Sequence, residues 1–467
     1  MTPVNITNST KPSFQFWGLS VLLIVVFLTG GASRIDVQSL VILRPLSVIA
    51  CALALITLRK EHFTNHRTIF FGYGLIILLV LAHLVPLPHS IWSQLAGRSE
   101  LVEIEKLAQI GNKWRPLTIT PMNGWHSLAS LATPLAVVLF AVQLNGRDLR
   151  RLLPLLIGMI LISGLFGLLQ VIGDPNGPLY LYRITNNGNA VGLFSNRNHA
   201  ATFLNCAFPL LAALILTKKG ARNQKSDARS RKYVREIFAL SFGLFLIPLI
   251  LVTGSRSGLF LAAVSLAGSM GIYFYHERTQ YQNSKSKVKS FAVPVLIGML
   301  VIILAVISQY LSRAVAIQRL LNIGTEDQIR TEAWQISLGM FWKYFPVGSG
   351  AGSFVEAFQI AETRNFLSST YLNRAHNDWI ETLVTFGLPG LLIIVGAVFI
   401  FLCASIKLWK GRQAATDAKI YGQVALLIIA LIGAASISDY PLRTPTMMCL
   451  FSLMGVWVSY ATKKVAI

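Results

Sequence analysis

The chain alternates long apolar stretches with short polar ones, and the apolar stretches approach the ~20 residues that a helix needs to cross a hydrocarbon core. They fall at about 16–33, 40–57, 69–86, 127–144, 152–172, 200–217, 237–253, 257–276, 291–309, 383–406, 419–437 and 444–461. This pattern predicts an all-α polytopic transmembrane bundle of about twelve spans, read as a single membrane unit over residues 1–467. Three polar stretches, 87–126, 173–199 and 310–382, stand out as long loops. In the last, Ile329, Ala333, Ile336, Met340 and Phe341 recur at helical spacing, which predicts a short amphipathic helix on the membrane surface.

Composition agrees with the pattern. The chain is 54% hydrophobic and 13% charged, with a mean hydropathy of +0.59. Its net charge of +22 is distributed by topology. Arg59, Lys60 and Arg67, then Arg147, Arg150 and Arg151, then eight basic residues from Lys218 to Arg235, then Arg278 to Lys289, Lys407 to Lys419 and Lys463–Lys464 all fall in alternate loops. The positive-inside rule then predicts both termini in the cytoplasm and the three long loops outside. The same distribution accounts for the charge without nucleic acid, leaving the lipid bilayer as the partner of the basic loops.

Cys51, Cys206, Cys403 and Cys449 all lie in apolar runs, so neither a disulfide framework nor a cysteine metal site is expected. Trp17, Trp125, Trp379, Trp409 and Trp457 fall near span ends, as an interfacial belt would have them. Pro346-Val-Gly-Ser-Gly-Ala-Gly-Ser-Phe354 is glycine-rich but lacks the Lys of a phosphate loop, and is read as a turn.

Chemistry must come from polar residues that the topology gathers at the outer mouth of the bundle. These are Arg183 and Asn196-Arg197-Asn198-His199 before the sixth span, Arg256 between the seventh and eighth, and Arg374-Ala-His376-Asn377-Asp378-Trp-Ile-Glu381 before the tenth. An Arg fork holds phosphate bidentately and stays charged, whereas a neutral His can take a proton from an attacking hydroxyl. Asp378 reads as the N-cap of the tenth helix rather than as a catalytic acid, and Glu381 is poorly spaced to pair with His376.

The stretch from Arg374 through Gly387-Leu-Pro-Gly390-Leu resembles the His-Asn and Gly-x-x-Gly signature of the O-antigen ligase and O-antigen polymerase family. Thr253-Gly-Ser-Arg256-Ser-Gly258 is similar to its second motif, and Gly192-Leu-Phe-Ser-Asn196-Arg-Asn198-His-Ala-Ala201 to its first. The resemblance spans roughly residues 150 to 440. It implies an inner-membrane, metal-independent and cofactor-free inverting glycosyltransferase. The implied donor is an undecaprenyl-diphosphate-linked glycan, and the implied acceptor a hydroxyl on a saccharide or lipid A-core at the periplasmic face. By position, Arg256 and His376 become the catalytic pair. Arg197, or in second place Arg183, with Asn198 and Asn377, become substrate-binding residues. A flippase or other transporter of a lipid-linked saccharide is the alternative, but it would put charges at mid-membrane depth, where the predicted spans have almost none.

Overall fold

The structure is a computed structural model, and it describes residues 11–217, 225–281, 323–367, 371–410 and 416–465. Among these, nine helices are long and apolar enough to cross a membrane, and two shorter apolar helices, Phe14–Thr29 and Leu40–Ile56, precede them. Together they meet every expected span except 291–309, which lies outside the described residues along with the start of the third long loop. The chain is an all-α, multi-pass membrane protein by these criteria.

Apolar burial does little to bring helices together in lipid, so close backbone approach and polar contacts must do it. Both occur where the site is built. A Cβ on Gly258 would sit 2.4 Å from the Ala201 Cβ, so the helix Arg256–Tyr281 approaches Arg197–Asn205 only because that residue is glycine. Asn205 Nδ2 donates to the Gly258 carbonyl (2.8 Å) and Ser265 Oγ to the Asn205 carbonyl (2.7 Å), locking the same pair. The helices Asp417–Ser438 and Pro445–Lys464 pack in the same manner through Gly422, whose Cβ would meet that of Ala461 at 2.5 Å.

The belt of tryptophans is only partly an interface. Trp17, Trp125 and Trp409 are exposed, but Trp457 is buried against Tyr421 in the core, and Trp379 Nε1 donates to the Gly433 carbonyl at 3.0 Å. Cys206 and Cys449 are buried in packing contacts, whereas Cys51 is half-buried and Cys403 exposed.

The third long loop has a core of its own. Its amphipathic segment forms the helix Ile323–Tyr344, and its buried residues Ala333, Met340, Phe341 and Tyr344 pack with Phe354, Ala357, Phe358, Ala375 and Val384. This face is therefore used against the loop and the helix Asp378–Lys410, a different outcome from the expected surface-lying helix. Trp342 and Leu338 stay exposed on its other side.

The glycine-rich segment is a turn, as expected. Gly348, Gly350 and Gly352 all have positive φ, and a Cβ on them would stand 2.4 Å from the Thr385 carbonyl oxygen, 2.2 Å from Thr118 Cα and 2.4 Å from the Asn123 carbonyl oxygen. The chain threads a gap that only backbone fits. Gly387 (φ 55°, ψ −134°) breaks the helix Asp378–Lys410 at the same contact, with a Cβ position 2.2 Å from the Pro346 carbonyl oxygen. Buried Arg98 adds a clamp, donating to the Leu117 carbonyl at 2.7 Å and lying over the Tyr344 ring.

Candidate functional site

Three segments converge on one carboxylate. Asp439, which ends the helix Asp417–Ser438, is 2% exposed. Its Oδ2 accepts from Asn196 Nδ2 (3.1 Å) and from Asn198 Nδ2 (2.7 Å), and its Oδ1 from the Tyr440 amide (3.0 Å). The two imidazoles face Oδ1, with His376 Nδ1 at 3.5 Å and His199 Nε2 at 3.6 Å. Those two separations are too long for formed hydrogen bonds and short enough for strong electrostatic coupling. The Tyr440 ring sits between the histidines, edge-on to both at 4.9 and 5.0 Å. Burial by itself would raise the Asp439 carboxyl, but His199 and His376 outweigh it and hold the group well below the usual carboxylate range.

The first motif is shaped from below. Gly192 has φ 58°, and a Cβ there would lie 2.4 Å from the Ser163 carbonyl oxygen. Buried Gln170 receives the amides of Val191 (3.0 Å) and Gly192 (2.8 Å) on its side-chain oxygen and donates to the Gly192 carbonyl (3.0 Å). Asn196 then caps the helix Arg197–Asn205, its Oδ1 accepting from the Asn198 amide, while its Nδ2 reaches Asp439. One residue does both tasks.

Asn198 connects the first motif to the second. Its Oδ1 accepts from Ser255 Oγ at 2.8 Å, and Ser255 Oγ in turn accepts from the Gly258 amide at 3.0 Å. Arg256, next to Ser255, opens the helix Arg256–Tyr281 and is exposed. Arg197 is half-buried, with its guanidinium donating to Asn189 Oδ1 at 3.2 Å and its amide to Asn186 Oδ1 at 3.1 Å.

The third motif differs from its sequence reading in two respects. The N-cap of the helix Asp378–Lys410 is Asn377, whose Oδ1 accepts from the Trp379 and Ile380 amides, each at 3.0 Å. Its side-chain oxygen is thus committed to the backbone, although it was expected to bind substrate. Asp378, expected to be the cap, is buried and accepts instead from Arg443 Nε (3.0 Å), Ser436 Oγ (3.0 Å) and the Leu442 amide (3.1 Å). Glu381 indeed does not pair with His376. It lies between Arg374 (2.9 Å) and Arg443 (3.4 Å).

This ion network anchors the turn that carries His376, whose φ of 49° is one of two positive values outside glycine among the described residues. Left-handed backbone costs a non-glycine residue about 1–2 kcal/mol, and it aims the imidazole at Asp439.

Arg183 stands apart from the carboxylate cluster. Its side chain is exposed, and Nη2 lies 3.7 Å from Asp36. Among the described residues, no group of His, Cys, Asp and Glu is arranged to hold a metal ion.

Sequence reasoning passed over Asp439, Tyr440 and Arg443. The available signal was the short stretch Ser438-Asp-Tyr-Pro-Leu-Arg443 between the last two apolar runs, where an acid, an aromatic and an arginine crowd six residues.

No curated protein matches the chain. Residues 240–395 match the family model described as O-antigen ligase, a segment that holds the second and third motifs but neither the first motif nor Asp439. That match supports a glycosyl-transfer role in polysaccharide biosynthesis. The matched segment, about a third of the chain, is thus similar to the O-antigen ligase family model and is joined to the first motif through Asn198.

Proposed function

We propose that the protein transfers a glycan from an undecaprenyl-diphosphate donor to an acceptor hydroxyl at the periplasmic face of the inner membrane, with inversion and without a metal. The observation that carries this reading is the contact of His376 Nδ1 with the buried Asp439 carboxylate. An anion facing Nδ1 favours the tautomer with its proton there, which leaves Nε2 as the basic atom.

In the transfer, Nε2 takes the proton of the acceptor hydroxyl as its oxygen bonds to the anomeric carbon. The bond from that carbon to the diphosphate oxygen breaks, and its electron pair leaves on the diphosphate. Arg256 and Arg197 stabilise that growing charge. Asp439 stabilises the imidazolium that forms and fixes the ring, as the buried Asp does in a Ser-His-Asp triad. Asn196 and Asn198 hold the carboxylate in turn.

Deletion of the gene followed by analysis of envelope glycans tests the reading. Accumulated lipid-linked polymer with bare lipid A-core identifies a ligase, and single unpolymerised units identify a polymerase. Unchanged glycans overturn the proposal.

A further inference from the structure

A cavity of about 470 Å³ opens beside the carboxylate cluster, between the loop joining the first two apolar helices and the strip Leu181–Ile184. Arg34, Asp36, Gln38 and Ser39 line one side, and Tyr182 and Arg183 the other. Nothing in the transfer chemistry above uses these residues apart from the earlier expectation for Arg183.

The cavity has a polar spine. Arg34 grips Asp36 with two bonds, Nε to Oδ1 at 2.9 Å and Nη2 to Oδ2 at 3.1 Å, and Arg183 approaches Oδ2 from the opposite wall at 3.7 Å. The hydrogen bonds from Arg34 hold the Asp36 carboxyl below its usual range, so it is an acceptor at neutral pH. A carboxylate has about four lone-pair sites, and the Arg34 fork occupies one on each oxygen. The guanidinium of Arg34 also lies 5.6 Å from the centre of the exposed Tyr371 ring. An ionised acceptor flanked by guanidinium donors is the chemistry that vicinal hydroxyls of a sugar require. The volume lies in the range of small-molecule sites. A lipid tail or a bare phosphate would leave Asp36 unused or repelled.

Both walls are tied to the catalytic cluster. Arg374, two residues before His376, donates to the Ser33 carbonyl at 3.1 Å, and the Ser195 amide donates to the Gly31 carbonyl at 3.2 Å. Across the cavity, Tyr182 accepts the Gly31 amide at 2.7 Å, and Thr185 Oγ1 donates to the Ser195 carbonyl at 3.0 Å.

We infer that the Arg34–Asp36–Arg183 cavity is a saccharide subsite, which holds sugar residues next to the transfer centre and takes Arg183 away from the diphosphate. The inference rests on the glycosyl-transfer reading for its biological meaning, but its test needs no turnover.

Full-length protein in lipid nanodiscs is titrated calorimetrically with two probes from the host. One is the repeat-unit oligosaccharide released by mild acid from lipid-linked donor, and the other is the core oligosaccharide of its lipopolysaccharide. Binding of the first names the donor glycan as occupant, and binding of the second names the acceptor. In either case Asp36→Asn weakens it roughly tenfold or more, since it removes the charged acceptor. Gln38→Ala weakens it less and serves if Asp36→Asn does not fold, which thermal unfolding reports. Binding of neither probe, or equal affinity in wild type and variants, overturns the subsite. Wild-type protein that binds a probe in this Asp36-dependent way but transfers nothing would instead overturn the transfer reading and leave the subsite standing.

Discussion

Asn198 donates to Asp439 at 2.7 Å and accepts from Ser255 at 2.8 Å, so one amide side chain joins the first motif, the second motif and the carboxylate that faces His376. An amide is suited to this post because it has donors on one arm and an acceptor on the other. Asn198→Asp would set a second anion against Asp439, and Asn198→Leu would strip both partners. Each is expected to lower transfer roughly tenfold or more, with the aspartate variant the worse for folding, since like charges that close repel. In vitro transfer and thermal unfolding of purified protein separate the two effects.

Asp439→Asn keeps the shape of the side chain and removes its charge. The expected result is a fall in kcat of roughly 10–100-fold with the donor KM nearly unchanged, because the imidazolium formed at His376 loses its counter-ion while the arginines still hold the diphosphate. A rise in donor KM at constant kcat would mean that Asp439 serves binding alone.

His376→Ala and His376→Gly should abolish transfer alike, by roughly 10²–10⁴-fold. They differ in stability. Glycine relieves the left-handed backbone at this position, so the glycine variant is expected to be about 1 kcal/mol more stable than the alanine variant. Equal unfolding midpoints would show that the backbone there relaxes once the imidazole is gone.

Glu381 is 1% exposed between two guanidinium groups. Removing one partner of a buried ion cluster costs about 3–5 kcal/mol because a charge is left uncompensated. Glu381→Ala should therefore reduce the yield of folded protein sharply. Pairing it with Arg374→Leu, which removes the guanidinium left without its carboxylate while Arg443 keeps Asp378, should recover part of the loss, as a double-mutant cycle on expression level and unfolding midpoint would read.

The pH response has a defined sign. The carboxyl of Asp439 is held below its ordinary value, so its contribution is present above the unfolded carboxylate pKa of about 3.9 and is lost as pH falls through the lower folded value. Loss of transfer between about pH 7 and pH 5 must then come from another group. The stability difference between wild type and Asp439→Asn should collapse only below about pH 3.9, and its collapse by pH 5 in unfolding measurements would contradict the assignment.

Much of this molecule was written in its sequence. Apolar runs near the length of a bilayer core must become helices, since every backbone amide needs an internal partner in lipid, and the described spans fall where the runs are. The glycine turn at Pro346–Phe354 was also legible, as composition. Local chemistry could not decide between neighbours competing for one role. Asn377 took the cap expected of Asp378 because Arg443, which lies 65 residues further on, binds Asp378. Asp439 escaped notice because a single acid in a short loop has no period and no partner within reach along the chain. Its meaning comes from Asn196, Asn198, His199 and His376, which packing brings to it from distances of 63 to 243 residues in sequence. The sequence determined which segments are helices long and apolar enough to cross a membrane. The tertiary structure decided which of them meet, because close helix contacts at Gly258 and Gly422 and the ion pairs that they permit depend on residues that no local pattern connects.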